Sequence, residues 1–389
     1  MVARLGDVCE IINGYAFKSE NYVSSGIRVI RIANVQKGYI EDTAPAFYPF
    51  DTPSIDRYTL YEDDLLVSLT GNVGRVALLK KEFLPAALNQ RVACLRLKEG
   101  VQYDKLFLYC FLNSDYFENE CIQSAKGVAQ KNMSTEWLKE YELPDFDLEK
   151  QRKISEIINR VSHLINARKR QLAKLDELVK ARFVEMFGSL NDNKKGLDIV
   201  SIKDLCTLIK DGTHQTPIYT EDTQNGFKFL SSKDVMTQKI CWDNIKYIPS
   251  ELHEKLYVVI QPQRNDILMS KNGVNYGVAA INDTDEVFDI YVSLALLRPI
   301  TDKVNPVYLK CAINNPDTKR QFDSSIKGIG VPNLHLGEIK NTKVLLPSME
   351  KQTEFVSFVK QVDKSKFAVQ KALDEAQTLF DSLMQQYFG

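Results

Sequence analysis

Two long stretches of the chain repeat apolar residues at steps of three, four and seven positions. Neither glycine nor proline occurs from Glu149 to Phe187 or from Glu350 to Phe388. This spacing places the apolar side chains on one face of a helix. Each stretch therefore predicts one amphipathic helix, about 55–60 Å long at ~1.5 Å per residue. The positions predicted to pack along these helices or to bind a partner are Ile154, Ile158, Val161, Ile165, Leu172, Leu175, Val179, Phe355, Val362, Leu373 and Leu383.

The sequence that precedes each predicted helix has a different pattern. Short runs rich in Val, Ile, Leu, Tyr and Phe alternate with clusters of Gly, Pro, Asn and Asp, which is typical of strands and turns with a few short helices. FLPAALNQRVACLRL (83–97) and VFDIYVSLALLRP (287–299) predict buried strands that are approached by a loop. The pattern as a whole indicates the α+β class.

The two halves of the chain are copies of one plan, displaced by about 200 residues. The sequence DLLVSLTGNVGRVALL (64–79) aligns with DILMSKNGVNYGVAAI (266–281), which pairs Ser68 with Ser270 and Gly71 with Gly273. The tripeptide EKQ that opens the first predicted helix recurs at the start of the second. An internal repeat of this kind implies a pseudo-two-fold axis.

Chain order sets the expected direction of the two helices. The first leads from one globular domain to the other and the second returns, and an apolar stripe of this length cannot stay solvated. We therefore expect two similar globular domains of mixed β structure with short helices, joined by two long helices that form an antiparallel coiled coil. The predicted boundaries are 1–148 and 191–349 for the domains, and 149–190 and 350–389 for the helices.

Charge and composition narrow the functional classes. With 50 Lys and Arg against 51 Asp and Glu, the net charge of -1 excludes a uniformly basic nucleic-acid coat protein. The balance is uneven along the chain, since residues 1–148 carry 16 basic and 21 acidic side chains whereas residues 149–190 carry 10 and 5. For a DNA reader this predicts weak binding alone and tight binding with partners that bring basic surfaces.

Cysteine usage and hydropathy indicate a cytoplasmic protein. The seven cysteines are scattered, and no C-x2-C pair is present, so we expect buried thiols and not disulfides or structural zinc. No apolar run reaches the ~18 residues of a membrane span, and the first residues lack the pattern of a secretory leader.

Two similar modules held a fixed distance apart suit the reading of a two-part asymmetric target such as double-stranded DNA. A spacer that holds two protein partners fits the same pattern. The motifs favour the first interpretation, because NGYAFKSENY with GIRVIRIANV, and DGTHQTPIY with GFKFLSSKDV, look like the openings of two target-recognition domains. Together with the order of domain, helix, domain and helix, they make the whole chain resemble the specificity subunit of type I restriction-modification enzymes. One departure is Pro144-Asp145 and Pro347-Ser348, where the family usually has Pro-Pro before each helix.

The resemblance implies a non-catalytic subunit whose two domains each read one half of a bipartite DNA site. Its helices would set the spacing and dock two DNA methyltransferase subunits, which a restriction subunit joins for cleavage. This chain would bind no cofactor, and S-adenosylmethionine would belong to the methyltransferase. The sequence contains no Asn/Asp-Pro-Pro-aromatic tetrad, no G-x-x-x-x-G-K-[ST] and only four isolated histidines. Open alternatives are an independent methyltransferase or nuclease, a recognition subunit of a related methyltransferase-nuclease system, and a scaffold without a DNA role.

Side chains that could read DNA are sought in polar loops next to glycine. Arg and Lys bind guanine, and Asn and Gln bind adenine, when a loop or strand reaches the major groove. We expect Gly71 and Gly273 themselves to serve tight turns. The candidates are Lys18, Thr70, Asn72, Arg75, Gln90, Arg91, Lys131 and Asn132 in the first half, and His214, Gln215, Lys271, Asn272, Asn275, Tyr276, Lys327 and Asn333 in the second.

Overall fold

The computed structural model describes residues 3–125, 132–326 and 332–389. The chain divides into two compact units: unit 1 comprises Met1–Lys169 and Lys371–Gly389, and unit 2 comprises Arg170–Gln370. Domain 1 denotes the part of unit 1 before the first long helix, and domain 2 the part of unit 2 between the two long helices. Each unit thus combines one domain with a segment of each long helix.

Unit 1 is built from ten strands and five helices in its described residues. The strands are β1 (Cys9–Asn13), β2 (Ile27–Ile30), β3 (Val35–Gln36), β4 (Tyr39–Ile40), β5 (Phe47–Tyr48), β6 (Thr59–Leu60), β7 (Leu65–Ser68), β8 (Val76–Leu78), β9 (Ala86–Leu88) and β10 (Val92–Leu97). The helices are α1 (Leu5–Val8), α2 (Lys105–Leu112), α3 (Asp115–Ser124), α4 (Thr135–Glu140) and the first part of α5 (Leu148–Phe187). One antiparallel sheet has the order β1-β10-β7-β8, and a second has the order β5-β2-β9-β6 with β2 and β9 parallel.

Unit 2 repeats this plan. Its strands are β11 (Asp198–Ser201), β12 (Cys206–Asp211), β13 (Phe227–Leu230), β14 (Lys246–Ile248), β15 (Ile267–Ser270), β16 (Ala279–Ile281), β17 (Phe288–Ile290), β18 (Leu294–Pro299) and β19 (Lys343–Leu346). The helices are α6 (Ser250–Tyr257), α7 (Pro306–Ile313), α8 (Pro316–Ser325), α9 (Leu336–Asn341) and the first part of α10 (Met349–Phe388). The sheets β12-β18-β15-β16 and β14-β13-β17 correspond to the two sheets of unit 1, so the predicted α+β internal repeat is confirmed.

The first three residues of each central strand, β7 and β15, are apolar because each strand separates two cores. In β7, Leu65 and Val67 pack with the helices of unit 1, whereas Leu66 packs with residues of the second sheet. In β15, Ile267 and Met269 face the helices and Leu268 faces the other side. Successive side chains of a strand point to opposite faces, so a strand that is covered on both sides carries an unbroken apolar run.

The two long helices run antiparallel within each unit. In unit 1, Val161 and Ile165 of α5 form one cluster with Ala376 of α10, and the later Phe388 packs near the earlier Ile154 in the core of the domain. In unit 2, Asp176 of α5 pairs with Lys366 of α10 at 2.5 Å. Further along α5, Phe183 meets the earlier Phe355 with ring centroids 5.5 Å apart. Rising positions on α5 therefore face falling positions on α10, as predicted.

The glutamine of each EKQ tripeptide ties its helix to the adjoining domain. Gln151 is 1% exposed, accepts the backbone N–H of Asp104 at 2.8 Å and donates to the carbonyl of Phe146 at 2.7 Å. Gln352 is fully buried and repeats both contacts, with the N–H of Asn305 at 2.7 Å and the carbonyl of Pro347 at 2.9 Å. The repeated sequence motif thus has a structural role, because its glutamine hydrogen-bonds the start of each long helix to the adjoining domain.

Replacing Gln352 by alanine should destabilise unit 2. The substitution leaves the partly buried N–H of Asn305 without this acceptor, which costs about 1–3 kcal/mol of unfolding free energy. Chemical denaturation of the full chain would measure the loss. Gln361→Ala, on an exposed position of the same helix, is the control, and equal stability of the two variants would contradict this structural role.

The cysteines are free thiols, and five of the seven are buried. Burial raises the pKa of the Cys9 thiol to about 12, so it stays protonated near neutral pH. Cys241 and Cys311 are only partly exposed. In the part of the chain that the structure describes, neither long helix nor any shorter one is apolar and long enough to cross a membrane.

Candidate nucleic-acid interface

The loop after the central strand is held by the same serine bonds in both domains, although the loop of domain 2 is one residue longer. The hydroxyl of buried Ser68 donates to the carbonyl of Asn72 at 2.5 Å and accepts the N–H of Arg75 at 3.0 Å. Ser270 makes the equivalent bonds with the carbonyl of Asn275, at 2.8 Å, and the N–H of Val278, at 3.0 Å. A serine at the end of the strand thus fixes the shape of each loop.

Two glycines in each loop have backbone conformations that other residues rarely adopt. Gly71 and Gly273 have φ angles of +72° and +86° with open space around them, so the turn itself requires glycine. Gly74 and Gly277 also have positive φ, and a Cβ there would lie 2.6 Å from Cys121 or Phe322. Turn geometry therefore accounts for the first pair, and close packing is an added constraint on the second.

Each loop is joined to a segment before the following short helix. Thr70 forms an isolated bridge with Asn132, and Asn272 forms one with Asn333. The fold thus brings together candidates that lie some 60 residues apart in the sequence. Two further candidates, Lys131 and Lys327, lie outside the described residues.

In domain 1 the candidates converge on a cleft of about 260 Å³. Thr70 is nearly buried, Arg75 is half-buried, and Asn72 and Arg91 are exposed at its edge. Gln36 lines the same cleft and accepts a hydrogen bond from the guanidinium of Arg75 through its side-chain oxygen. Sequence reasoning missed Gln36, because only the tertiary fold brings strand β3 against this loop.

The remaining candidates of domain 1 lie elsewhere. Lys18 is exposed at the start of a short turn, Ser19–Asn21, and Gln90 is exposed with its backbone N–H on the carbonyl of Tyr15 at 2.9 Å. Neither lines the cleft. Whether they contact DNA stays a prediction.

In domain 2 the candidate lysine is turned inward. Lys271 is 4% exposed and its ammonium lies 2.7 Å from a carboxylate oxygen of Asp211. Exposed His214 approaches the same carboxylate at 3.6 Å, and both His214 and Asp211 line a cleft of about 410 Å³. Gln215 beside it is exposed. The ammonium of Lys271 is thus committed to an ion pair and is not presented at the surface, contrary to the loop position that we expected for a base reader.

The same cleft of domain 2 adjoins a buried acid and histidine. Asp289 lines it, and the carboxylate of Asp289 lies 2.6 Å from Nδ1 of His253, whose ring stacks on Phe227 at 3.6 Å. Burial raises the pKa of Asp289, and the hydrogen bond from His253 opposes that rise. In domain 1 the position that pairs with the second sheet in the same way is Ala87, so this polar pair is specific to domain 2.

The tip of the domain 2 loop is held against helix α8. The hydroxyl of Tyr276 donates to Asp323 at 2.6 Å, and the ammonium of Lys319 lies 3.4 Å from the centre of the Tyr276 ring. Asn275 and Asn333 are exposed, and Asn272 is partly buried. Tyr276 is therefore engaged within the domain, while the neighbouring asparagines remain accessible.

Most of the predicted helix stripe is used inside the protein. Ile154, Ile158, Phe355 and Val179 pack into the cores of the domains. Further members pack between the helices or are at least half-buried along them, namely Val161, Ile165, Leu172, Leu175, Val362, Leu373 and Leu383. The large apolar side chains that the helices leave exposed are different ones: Ile157, Leu164, Leu178, Val184, Met349, Phe367 and Leu379.

The protein contains two copies of one domain. Each copy packs on a pair of antiparallel helix segments and presents a polar loop held by a serine, so the fold defines a tandem recognition protein. Among the described residues, no group of three or more His, Cys, Asp or Glu side chains is arranged to hold a metal ion. Residues 1–177 and 194–376 both match the family described as type I restriction modification DNA specificity domain. The chain belongs to this family, and it is a type I restriction-modification specificity subunit with two target-recognition domains.

Two relatives match nearly the whole chain. The specificity subunit of the type I restriction enzyme EcoBI from Escherichia coli is 24% identical, over 98% of this chain and 83% of its own length. The specificity subunit of MjaVIII from Methanocaldococcus jannaschii is 27% identical, over 93% and 85%. The crystal structure of a type I restriction-modification S subunit from M. genitalium is similar in fold, with a TM-score of 0.58 at 15% identity over 100% of this chain and 96% of that one.

Proposed function

We propose that each domain reads one half of an asymmetric, two-part DNA site and that the long helices set the distance between the halves. The observation that carries the proposal is the pair of equivalent loops. Their backbones are held by the same serine bonds, whereas their side chains differ, as at Arg75 and Val278. A shared frame with different polar side chains is what two readers of different sequences require.

We further propose that the chain itself is non-catalytic and that two DNA methyltransferase subunits dock on its helices, with a restriction subunit joining them for cleavage. S-adenosylmethionine would then be bound by the methyltransferase. Membership of a DNA specificity family supports the recognition role. The exposed Phe367 and Leu379, at 76% and 49%, support docking, because large apolar side chains on a helix surface gain stability when a partner covers them.

The charge distribution fits a subunit that works inside a complex. Residues 1–148 have an acidic excess of five, and residues 149–190 have a basic excess of five. Phosphate neutralisation supplies most of the affinity that does not depend on sequence. We therefore propose that the chain binds DNA weakly by itself and that its partners supply much of the phosphate contact.

The proposal is tested by co-producing the full chain with its methyltransferase in a host without other DNA methylation and mapping the methylated bases. We expect one motif with two defined parts and a gap of fixed length. The chain without the methyltransferase is the control and should methylate nothing. Methylation without sequence preference would favour a scaffold, and methylation by the chain alone would contradict the non-catalytic role.

A separate cleavage assay distinguishes the related methyltransferase-nuclease system. The complex of the chain and its methyltransferase is incubated with unmethylated DNA that carries the motif, with and without a restriction subunit. We expect cleavage only when the restriction subunit is present. Cleavage in its absence would assign the chain to the related system.

A further inference from the structure

The repeat allows the two domains to be compared with each other. The comparison distinguishes the backbone bonds that hold each loop from the side chains that could contact DNA. Positions are equivalent where they make the same backbone bonds. Arg75 is equivalent to Val278, because each donates its backbone N–H to the serine hydroxyl. Arg91 is equivalent to Ser293, because the carbonyl of each accepts the backbone N–H of the residue after that serine. The bonded groups are the same in the two domains, although domain 2 has one more residue between its two glycines of positive φ. The side chains at the bonded positions can therefore be compared directly.

The position of Gln36 is fixed in the same way. Asn34 accepts the N–H of Arg31 at 2.9 Å, and Asp234 accepts the N–H of Ser231 at 2.7 Å, which makes the two short turns equivalent. Gln36 therefore corresponds to Met236, two residues after the accepting side chain. Asn72 corresponds to Asn275, since the backbone carbonyl of each accepts the hydroxyl of the serine.

Three long donor side chains of the domain 1 cleft are replaced in domain 2, whereas Asn72 has the counterpart Asn275. The replacements for Gln36, Arg75 and Arg91 are Met236, Val278 and Ser293. Two of these three replacements are apolar. If these donor side chains served only to stabilise the loop, both domains would need them. Domain 2 keeps the same backbone bonds without them.

The side chains of the cleft favour a base that carries hydrogen-bond acceptors. Its described lining contains two arginines and no carboxylate. The side-chain oxygen of Gln36 is occupied by the guanidinium of Arg75, and the amide nitrogen of Gln36 donates to the carbonyl of Ala33 at 2.9 Å. The side-chain amide of Asn72 lies 3.2 Å from the same guanidinium. Because a guanidinium has five N–H groups, Arg75 retains donors beyond these contacts. Guanine is the base that offers two acceptors, N7 and O6, on its major-groove edge, and arginine in bidentate contact is its commonest reader.

We propose that the cleft of domain 1 reads a guanine through Arg75, that Gln36 holds the guanidinium in position, and that the half-site of domain 2 lacks this contact. Arg91, exposed at the edge of the cleft, contacts the adjoining phosphate. This inference rests on the proposed function and assigns one base to one domain. Half-burial of Arg75 and its bond to Gln36 restrict the side chain before DNA arrives, which favours a defined contact.

The test uses the complex of the full chain with its methyltransferase and a set of duplexes that carry the mapped motif. In this set each guanine is replaced in turn by the other bases, with its complement changed to match. Methylation rates are compared for the wild type, Arg75→Val and Gln36→Met. These two substitutions introduce the residues that the same frame carries in domain 2, so the loop can accommodate them. Arg57→Ala, which removes an exposed arginine of domain 1 outside the cleft, controls for loss of charge.

The wild type should prefer one guanine in one half-site by at least about tenfold over other bases. Arg75→Val should reduce this preference to less than about threefold, with the other half-site read as before, and Gln36→Met should reduce it by a smaller factor. Arg57→Ala should leave it unchanged. If Arg75→Val abolishes methylation, the Gln36→Met variant decides, because it retains the arginine.

Two kinds of failure can be told apart. Absence of any two-part motif in the wild type would overturn the proposed function. A two-part motif in which both variants keep every guanine preference, or in which the Arg57→Ala control loses the same preference, would overturn the assignment of Arg75 and leave the proposed function intact.

Discussion

Replacing Phe355 by alanine should be among the most destabilising changes in the protein. Phe355 is fully buried, and its ring lies 5.5 Å from those of Phe183 and Phe187 and 6.3 Å from that of Tyr308. These rings join both long helices to domain 2. Removal of a buried phenylalanine costs about 3–5 kcal/mol, since apolar contacts are lost and a cavity remains. The melting temperature of unit 2 should fall by roughly 10 °C.

The matched control for this change lies on the same helix. Phe367 is 76% exposed, so Phe367→Ala should leave the melting temperature within about 1–2 °C of the wild type. Calorimetry of the full chain measures both variants. A similar melting temperature for the Phe355 and Phe367 variants would contradict the role of the aromatic cluster in holding the helices.

The second large effect is expected at Asp266. Its carboxylate is 2% exposed and accepts two N–H groups from Arg298, at 2.8 and 2.7 Å, and the backbone N–H of Gln263 at 2.8 Å. Asp64 and Arg96 form the same pair in domain 1. Asp266→Ala leaves a partly buried guanidinium without its counter-ion, which should cost about 3 kcal/mol. Denaturant unfolding of the full chain checks this value.

Two further variants distinguish the effect of burial from the effect of the ion pair itself. Asp285 also binds an arginine through both oxygens, at 3.0 and 2.7 Å from Arg264, but its side chain is 78% exposed. Asp285→Ala should therefore change stability far less. The double variant Asp266→Leu with Arg298→Met should recover part of the loss, because no buried charge remains unpaired. Equal losses at the two aspartates would show that burial does not determine the effect.

The helices could be predicted from local periodicity, and the repeat could be predicted from the likeness of segments about 200 residues apart. The apolar spacing after each EKQ requires one long helix, and an unbroken apolar run such as residues 65–67 of β7 requires a core on both of its faces. Interior glycines with positive φ, such as Gly71, marked the loop correctly. These features are properties of a segment and need no knowledge of its neighbours.

The site could be predicted only in part, because its chemistry depends on contacts across the fold. Lys271 and Leu69 occupy the same backbone position, and both are buried. In the sequence, however, Lys271 resembles an accessible loop cation. Its burial follows from Asp211 on a distant strand. Gln36 was missed for the same reason, since nothing near it in sequence indicates that it meets Arg75.

The composition of the two units has a consequence for the order of folding. Unit 2 is one continuous segment, whereas unit 1 is completed by Lys371–Gly389, which supplies Phe388 to the ring cluster around Phe107 and Phe111. Closing unit 1 therefore requires a far longer chain loop, and contacts of high sequence separation form slowly. We expect unit 2 to fold first and to shorten that loop, so a destabilising change in unit 2 should also delay the folding of unit 1.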